Sequence, residues 1–144
     1  MNVKIKKLNS NAKIPTYAKP GDAGMDLTAT SYRYDVNYDN EIYGTGIAVE
    51  IPEGYVGLVF PRSSNRKTDV YMTNHVGVID SGYRGEIMVT FKHRDADIEN
   101  DAPYNLGDRI AQLIIIPYPH IDFEEVEELS DSERGEGGHG STGK

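Results

Sequence analysis

Gly46-Ile47-Ala48-Val49-Glu50-Ile51-Pro52-Glu53-Gly54-Tyr55-Val56-Gly57-Leu58-Val59-Phe60 reads as two short apolar runs separated by a Pro-Glu-Gly turn. Runs of this length, rich in β-branched residues and bounded by Pro and Gly, are the pattern of strands buried on at least one face. The same pattern recurs outward in both directions. It predicts strands at Val3 to Leu8, Met25 to Ala29, Gly46 to Ile51, Tyr55 to Phe60, Val76 to Ile79, Glu86 to Lys92 and Ile110 to Tyr118. Turns such as Ser81-Gly82 separate them at the short spacing of an all-β sandwich or barrel. Helical periodicity is scarce. The one short helix expected follows Pro61, where Ser63 or Ser64 would cap a turn or two through Asn65, Arg66 and Lys67.

At 144 residues the chain suits one globular domain. Its formal net charge of -8, from 23 acidic and 15 basic side chains, repels a phosphate backbone, so no nucleic-acid partner is expected. A small anionic ligand then needs local basic or backbone-amide pockets. The absence of cysteine removes disulfides, thiol nucleophiles and thiolate metal sites. The start MNVKIKKLNSN lacks an apolar stretch behind its lysines, and no run approaches a membrane span, so no membrane partner and no secretion are expected. The expected location is intracellular: the cytoplasm of a prokaryotic or virus-infected cell, with the nucleus as the eukaryotic alternative.

From Glu124 to Glu133 the chain turns acidic, and from Gly135 onward it becomes glycine-rich. Such a composition buries too little apolar surface to hold itself folded. The division expected is a β-domain over 1–129 and a flexible arm over 130–144. Ten or more extended residues reach ~30 Å, enough to cross to a neighbouring subunit. Within the arm, Arg134 and a run of glycines, hydroxyls and free amides through Lys144 can wrap phosphate oxygens. Gly138 to Lys144 matches the first seven positions of a P-loop, but the Ser or Thr after the lysine is missing.

Four further segments carry chemistry. Pro61-Arg62-Ser63-Ser64 offers a fixed-charge fork, two hydroxyls and a helix start, each able to hold an anion; a plain N-cap beside a surface arginine reads equally well. In Gly77-Val78-Ile79-Asp80-Ser81-Gly82-Tyr83-Arg84-Gly85-Glu86 an apolar strand delivers a carboxylate and then a ring to a tight turn. Such an Asp can orient and deprotonate water while the ring packs on a flat or sugar-like ligand. An ordinary Asp-initiated turn is the structural alternative. Asp26 is a lone carboxylate in the strand Ala23-Gly24-Met25-Asp26-Leu27, which calls for a partner such as a metal-bound water, or else faces solvent. Gln112, inside Gly107-Asp108-Arg109-Ile110-Ala111-Gln112-Leu113-Ile114, must find hydrogen bonds for a buried amide. The four histidines show no metal-ligand spacing, and the acidic stretch from Asp95 to Asp101 lacks the turn glycine and closing glutamate of a calcium loop. His93 to Asn105 therefore reads as a solvated surface loop.

Taken in order, these segments resemble the five motifs of the trimeric dUTPase family, from Ala23 to Gly143. The resemblance implies a jelly-roll-like all-β subunit, a homotrimer with swapped C-terminal arms, Mg²⁺ as cofactor, and hydrolysis of dUTP to dUMP and pyrophosphate. It implies that Asp80 activates the attacking water and that Tyr83 stacks on the deoxyribose, crowding out a 2′-hydroxyl. Asn74, with the backbone of Gly77, Val78 and Ile79, would read uracil. Arg62, Ser63, Ser64 and Gln112 would hold phosphate oxygens, and Asp26 would reach magnesium through water. Arg134, Ser141 and Thr142 would close over the γ-phosphate, and Gly140 would also contact the substrate. His139 stands where the family usually has phenylalanine over the base; imidazole is smaller and titrates near ~6.5, so closure there would be looser and pH-sensitive.

Two alternatives share the scaffold. A dCTP deaminase would need a glutamate poised at the base, whereas this hairpin carries Asp80 and Tyr83. A dUTP-sensing module would use closure as a switch without needing turnover.

Overall fold

Strand β10 (Arg109–Pro117) lies between β2 (Met25–Thr28) and β6 (Tyr55–Pro61), and β6 carries β8 (Gly77–Ile79) on its other edge. All three pairings are antiparallel. A second sheet runs in the order β3 (Ser31–Asp35), β4 (Asn40–Gly44), β9 (Met88–His93), β7 (Val70–Met72). A short ribbon pairs β1 (Lys4–Lys7) with β5 (Ile47–Glu50). The computed structural model describes residues 1–94 and 102–138. Among these the fold is all-β, with one 3-10 helix at Ser63–Lys67, and no helix is long and apolar enough to cross a membrane.

Alternation explains which side chains form the core. Tyr43 and Phe91 from the second sheet meet Leu27, Val59 and Leu113 from the first and Ile47 from the ribbon in one buried cluster. Each fully buried side chain of this size contributes on the order of 2 kcal/mol. The turn after β5 closes as expected: the Tyr55 amide donates to the Pro52 carbonyl, and Gly54 takes φ +79°, a left-handed value that glycine adopts without steric penalty.

All seven expected strands form, and three more appear at β3, β4 and β7. The short helix differs from expectation at its start. Arg62, not Ser63 or Ser64, occupies the cap position and makes no side-chain capping bond. The helix is held from inside instead, by buried Asn65, whose amide donates to the Thr68 and Tyr104 hydroxyls. Tyr104 in turn exchanges two hydrogen bonds with the Tyr43 hydroxyl.

The expected surface loop from His93 to Asn105 also needs correction at both ends. The His93 side chain is half-buried, with Nε2 3.6 Å from Oε1 of Glu41, itself 1 % exposed. Tyr104 packs against the core. The acidic stretch from Asp95 to Asp101 lies outside the described residues.

Candidate active site

Two clefts carry the sequence-identified residues. The first, about 330 Å³, is lined by Gly24, Asp26, Arg62, Ser63, Gln112 and neighbouring residues. Antiparallel pairing explains how segments so distant in sequence meet: Gln112 stands opposite Asp26 on one side and Phe60 on the other. The strands thus bring the Asp26, Arg62 and Gln112 motifs to one end of the sheet.

Asp26 is the electrostatic centre of this cleft. Its Oδ1 accepts from Arg62 Nε at 2.7 Å and its Oδ2 accepts from an Arg109 guanidinium nitrogen at 3.0 Å. Arg62 also donates to the Ser64 hydroxyl and to the Arg109 carbonyl. The lone carboxylate noticed in the sequence therefore has direct partners, two arginines. Charge-assisted bonds of this kind hold a guanidinium in one orientation and leave its other N–H groups available. The Gln112 amide donates to the Pro61 carbonyl at 3.0 Å, which fixes its plane and leaves its second N–H. Gly24 lies directly beneath this amide: a Cβ there would collide with Oε1 and stand 3.1 Å from Cδ.

The second cleft, about 260 Å³, is lined by Val78, Ile79, Asp80, Tyr83, Glu86, Met88 and Thr90. Strand β8 is a sheet edge, and Val78 on it is 62 % exposed. Such an edge presents unpaired backbone groups to a ligand. Gly77 is buried, with Asn74 Nδ2 3.1 Å from where its Cβ would be, so the Asn74 side chain folds back over the start of the strand. Asp80 is exposed and opens the turn, its carbonyl accepting from the Tyr83 amide. Glu86, the other carboxylate lining the cleft, spends Oε1 on the Gly46 amide at 2.7 Å.

The two clefts do not meet within one chain. Ile79 stands opposite Gly57, which sets Asp80 beside the Val56 end of β6, whereas Arg62 follows its far end. Val56 and Arg62 are six residue steps apart along the chain, roughly 20 Å at ~3.3 Å per step. Strands β8 and β10 also flank β6 on opposite sides. In the arm, Arg134 donates to the Gly137 carbonyl, and His139, Gly140, Ser141 and Thr142 lie outside the described residues. Among the described residues no three acidic or histidine groups gather to hold a metal.

The dUTPase family model matches residues 10–143. The chain belongs to the dUTPase family. Family relatives include the deoxyuridine 5′-triphosphate nucleotidohydrolase of Corynebacterium glutamicum, 46 % identical over 143 residues, covering 99 % of this chain and 95 % of that protein. The enzyme of the same name from Clostridioides difficile is 43 % identical, with 99 % and 98 % covered. Among solved structures, a mutant Staphylococcus bacteriophage 80alpha dUTPase with dUpNHpp is 32 % identical and superposes with a TM-score of 0.82 over 99 % of both chains. A mutant dUTPase from phage phi11 of S. aureus, described with a structural Mg(II) ion, is 28 % identical with a TM-score of 0.73 over 90 % of this chain and 99 % of that one.

Arg109 and Gly24 went unassigned in the sequence, although both lie inside motifs that were singled out. The signal for Arg109 was the lone Asp26 itself, since a carboxylate on an apolar strand needs a donor and a nearby arginine is the simplest one. Gly24 carried no such signal, because its neighbour is 88 residues away and is known only from the strand register.

Proposed function

We propose that the chain, a dUTPase by family, hydrolyses dUTP to dUMP and pyrophosphate at sites assembled from several copies of itself. The observation that carries this reading is the separation of the two clefts along β6. A triphosphate whose α-phosphorus lies at Asp80 cannot also reach Arg62 and Gln112 of the same chain. A second copy supplies them. Residues 130–144 act as an arm from a third copy, on the β-domain of residues 1–129. The segment before the arm supports this arrangement: Phe123 is 95 % exposed and Leu129 88 %, apolar surface of the kind that marks an interface. A homotrimer follows by closure of such head-to-tail contacts.

In this reading the Gly77–Ile79 edge and Asn74 hydrogen-bond the uracil, and Tyr83 lies against the deoxyribose. Asp80 orients a water for in-line attack on the α-phosphorus and accepts its proton. Arg62, Ser63, Ser64 and Gln112 hold the phosphate oxygens as charge shifts to the leaving pyrophosphate. Arg134, Ser141 and Thr142 close over the far phosphates, with His139 and Gly140 over the base.

Magnesium fits the first cleft through Asp26. An Mg²⁺ carried on a triphosphate uses one or two protein carboxylates and keeps several waters. A carboxylate accepts at roughly four positions, of which the arginines use two, so Asp26 retains capacity for a magnesium-bound water. The ion would supply neutralisation of phosphate charge.

Pyrophosphate release from dUTP, dTTP, dCTP and UTP with magnesium tests the reaction: dUTP alone should turn over readily, and Asp80→Asn should abolish it. Refolding Asp80→Asn together with Gln112→Ala tests the shared site. Each variant is inactive alone, and random mixing restores roughly a quarter of wild-type activity per site when the two residues come from different copies. A mixture as dead as its parents overturns the shared site.

A further inference from the structure

We propose that Gly85 is a positioning residue for sugar selection, setting through Tyr83 the depth of the pocket that receives the deoxyribose. The inference rests on the reading that Tyr83 faces the sugar. The Tyr83 ring lies folded back over the turn that follows it, and its hydroxyl donates to the Glu86 carbonyl at 3.0 Å. It can lie there only because residue 85 has no side chain. A Cβ at Gly85 would collide with the Tyr83 hydroxyl oxygen, stand 2.5 Å from Cζ and 2.9 Å from Cε2.

The rest of the turn is immobilised, so the ring is the part that must yield. The Tyr83 amide donates to the Asp80 carbonyl. Arg84 donates to the carbonyls of Ser81 and Tyr83, at 2.6 and 3.0 Å. Glu86 is tied to the Gly46 amide. Gly85 is not among the residues with positive φ, so alanine meets no backbone penalty there. One added methyl group therefore drives the ring off Gly85 and breaks its bond to the Glu86 carbonyl. The ring is 40 % exposed and lines the cleft it shares with Asp80, so its displacement changes the shape of that cleft at the sugar.

The consequence is a loss of selectivity with little loss of fold. With the ring no longer seated, a 2′-hydroxyl meets less crowding, and shape-based rejection in such pockets is worth roughly 10- to 200-fold. The ratio of kcat/KM for dUTP to that for UTP should fall at least tenfold in Gly85→Ala, while thermal unfolding by circular dichroism stays cooperative. In a Tyr83→Ala background the same glycine substitution should change the ratio less than twofold, because the ring it displaces is gone.

The controls separate two failures. If Tyr83→Ala itself leaves the ratio unchanged, the sugar reading of Tyr83 is wrong. If Tyr83→Ala lowers the ratio and Gly85→Ala does not, that reading survives and the positioning role of Gly85 is overturned. Tyr83→Phe, which releases the ring by deleting its bond to the Glu86 carbonyl without adding an atom, gives the same test should Gly85→Ala fold poorly, and an unchanged ratio there also overturns the proposal.

Discussion

Gly24→Ala should slow dUTP hydrolysis about a hundredfold while leaving the subunit folded. Its methyl group would enter the space of the Gln112 amide, colliding with Oε1 and standing 3.1 Å from Cδ and 3.2 Å from Cβ. Restoring ordinary contact requires the amide to move on the order of 1 Å, and a misplacement of that size at a positioning group costs about 10²-fold in rate. That corresponds to about 2.7 kcal/mol of lost transition-state stabilisation. Gly24 has no positive φ, so the backbone accepts alanine and the cost falls on the side chain above it. Steady-state pyrophosphate release should show the loss mainly in kcat, with the melting temperature lowered by only a few degrees. The decisive comparison is a double-mutant cycle with Gln112→Ala. Once the amide is removed, Gly24→Ala should add less than threefold. Wild-type turnover by Gly24→Ala, or a full hundredfold further loss on top of Gln112→Ala, would refute the argument.

Three other outcomes follow from the geometry. Asp26→Ala removes the acceptor of two guanidiniums and should cost about 2 kcal/mol in urea unfolding, in the range of hydrogen bonds to charged groups, and should also raise the magnesium concentration for half-maximal activity. His93→Leu removes the imidazole beside the buried Glu41 carboxylate and should lower stability, whereas the double variant Glu41→Met/His93→Leu should recover most of that loss in the same unfolding assay. Burial pushes the Tyr43 phenol up to about 12, with the facing Glu41 carboxylate adding to the shift and the Tyr104 backbone hydrogen bond opposing it. Because the folded value lies above the unfolded one, near 10, this contribution to stability is complete below pH 10 and disappears as the pH rises toward 12; absorbance at 295 nm should show Tyr43, together with Tyr32, whose phenol is also raised by burial and by Glu41, ionising later than the other tyrosines and along with the loss of native circular dichroism.

The first sheet was legible in the sequence because its strands bury apolar runs. β6 and β10 alternate or run continuously in Val, Ile and Leu, and the turns beside them carry Gly and Pro. The second sheet was legible only at β9. Ser31-Tyr32-Arg33-Tyr34-Asp35 does alternate, but its apolar members are tyrosines with polar tips, which an apolar-run criterion passes over. Glu41 breaks the pattern of β4 by placing a carboxylate at a core position. β7 is three residues long, too short for any period to show. The site divides along the same physical line. Residues whose chemistry is local, such as Asp80 at a turn or Arg62 beside two serines, announce themselves in their own segments. Gly24, Gly85 and the Arg109 bond to Asp26 act through neighbours that only register or turn geometry brings close.

The electrostatics of the first cleft give the arm a reason to exist. A protein of net charge -8 must present a tetraanionic substrate with locally positive surface. Around this cleft, however, Arg62 and Arg109 are matched by Asp26 and Asp22, two positive charges against two negative. Asp26 holds both guanidiniums in place, and in doing so cancels part of the field they would offer a phosphate. The β-domain thus supplies direction, through fixed N–H groups, more than it supplies charge. Net positive charge has to arrive with other groups. Arg134 stands at the start of the arm's glycine-rich run, and in the proposed reading it reaches the phosphates together with the metal. On the proposed reading, closure does more than exclude water: it completes the charge balance of the site, so the cleft should bind a triphosphate tightly only when the arm is present. In that reading the arm is part of the binding energy itself, which explains how a glycine-rich segment can be indispensable to a site whose rigid parts are built on strands.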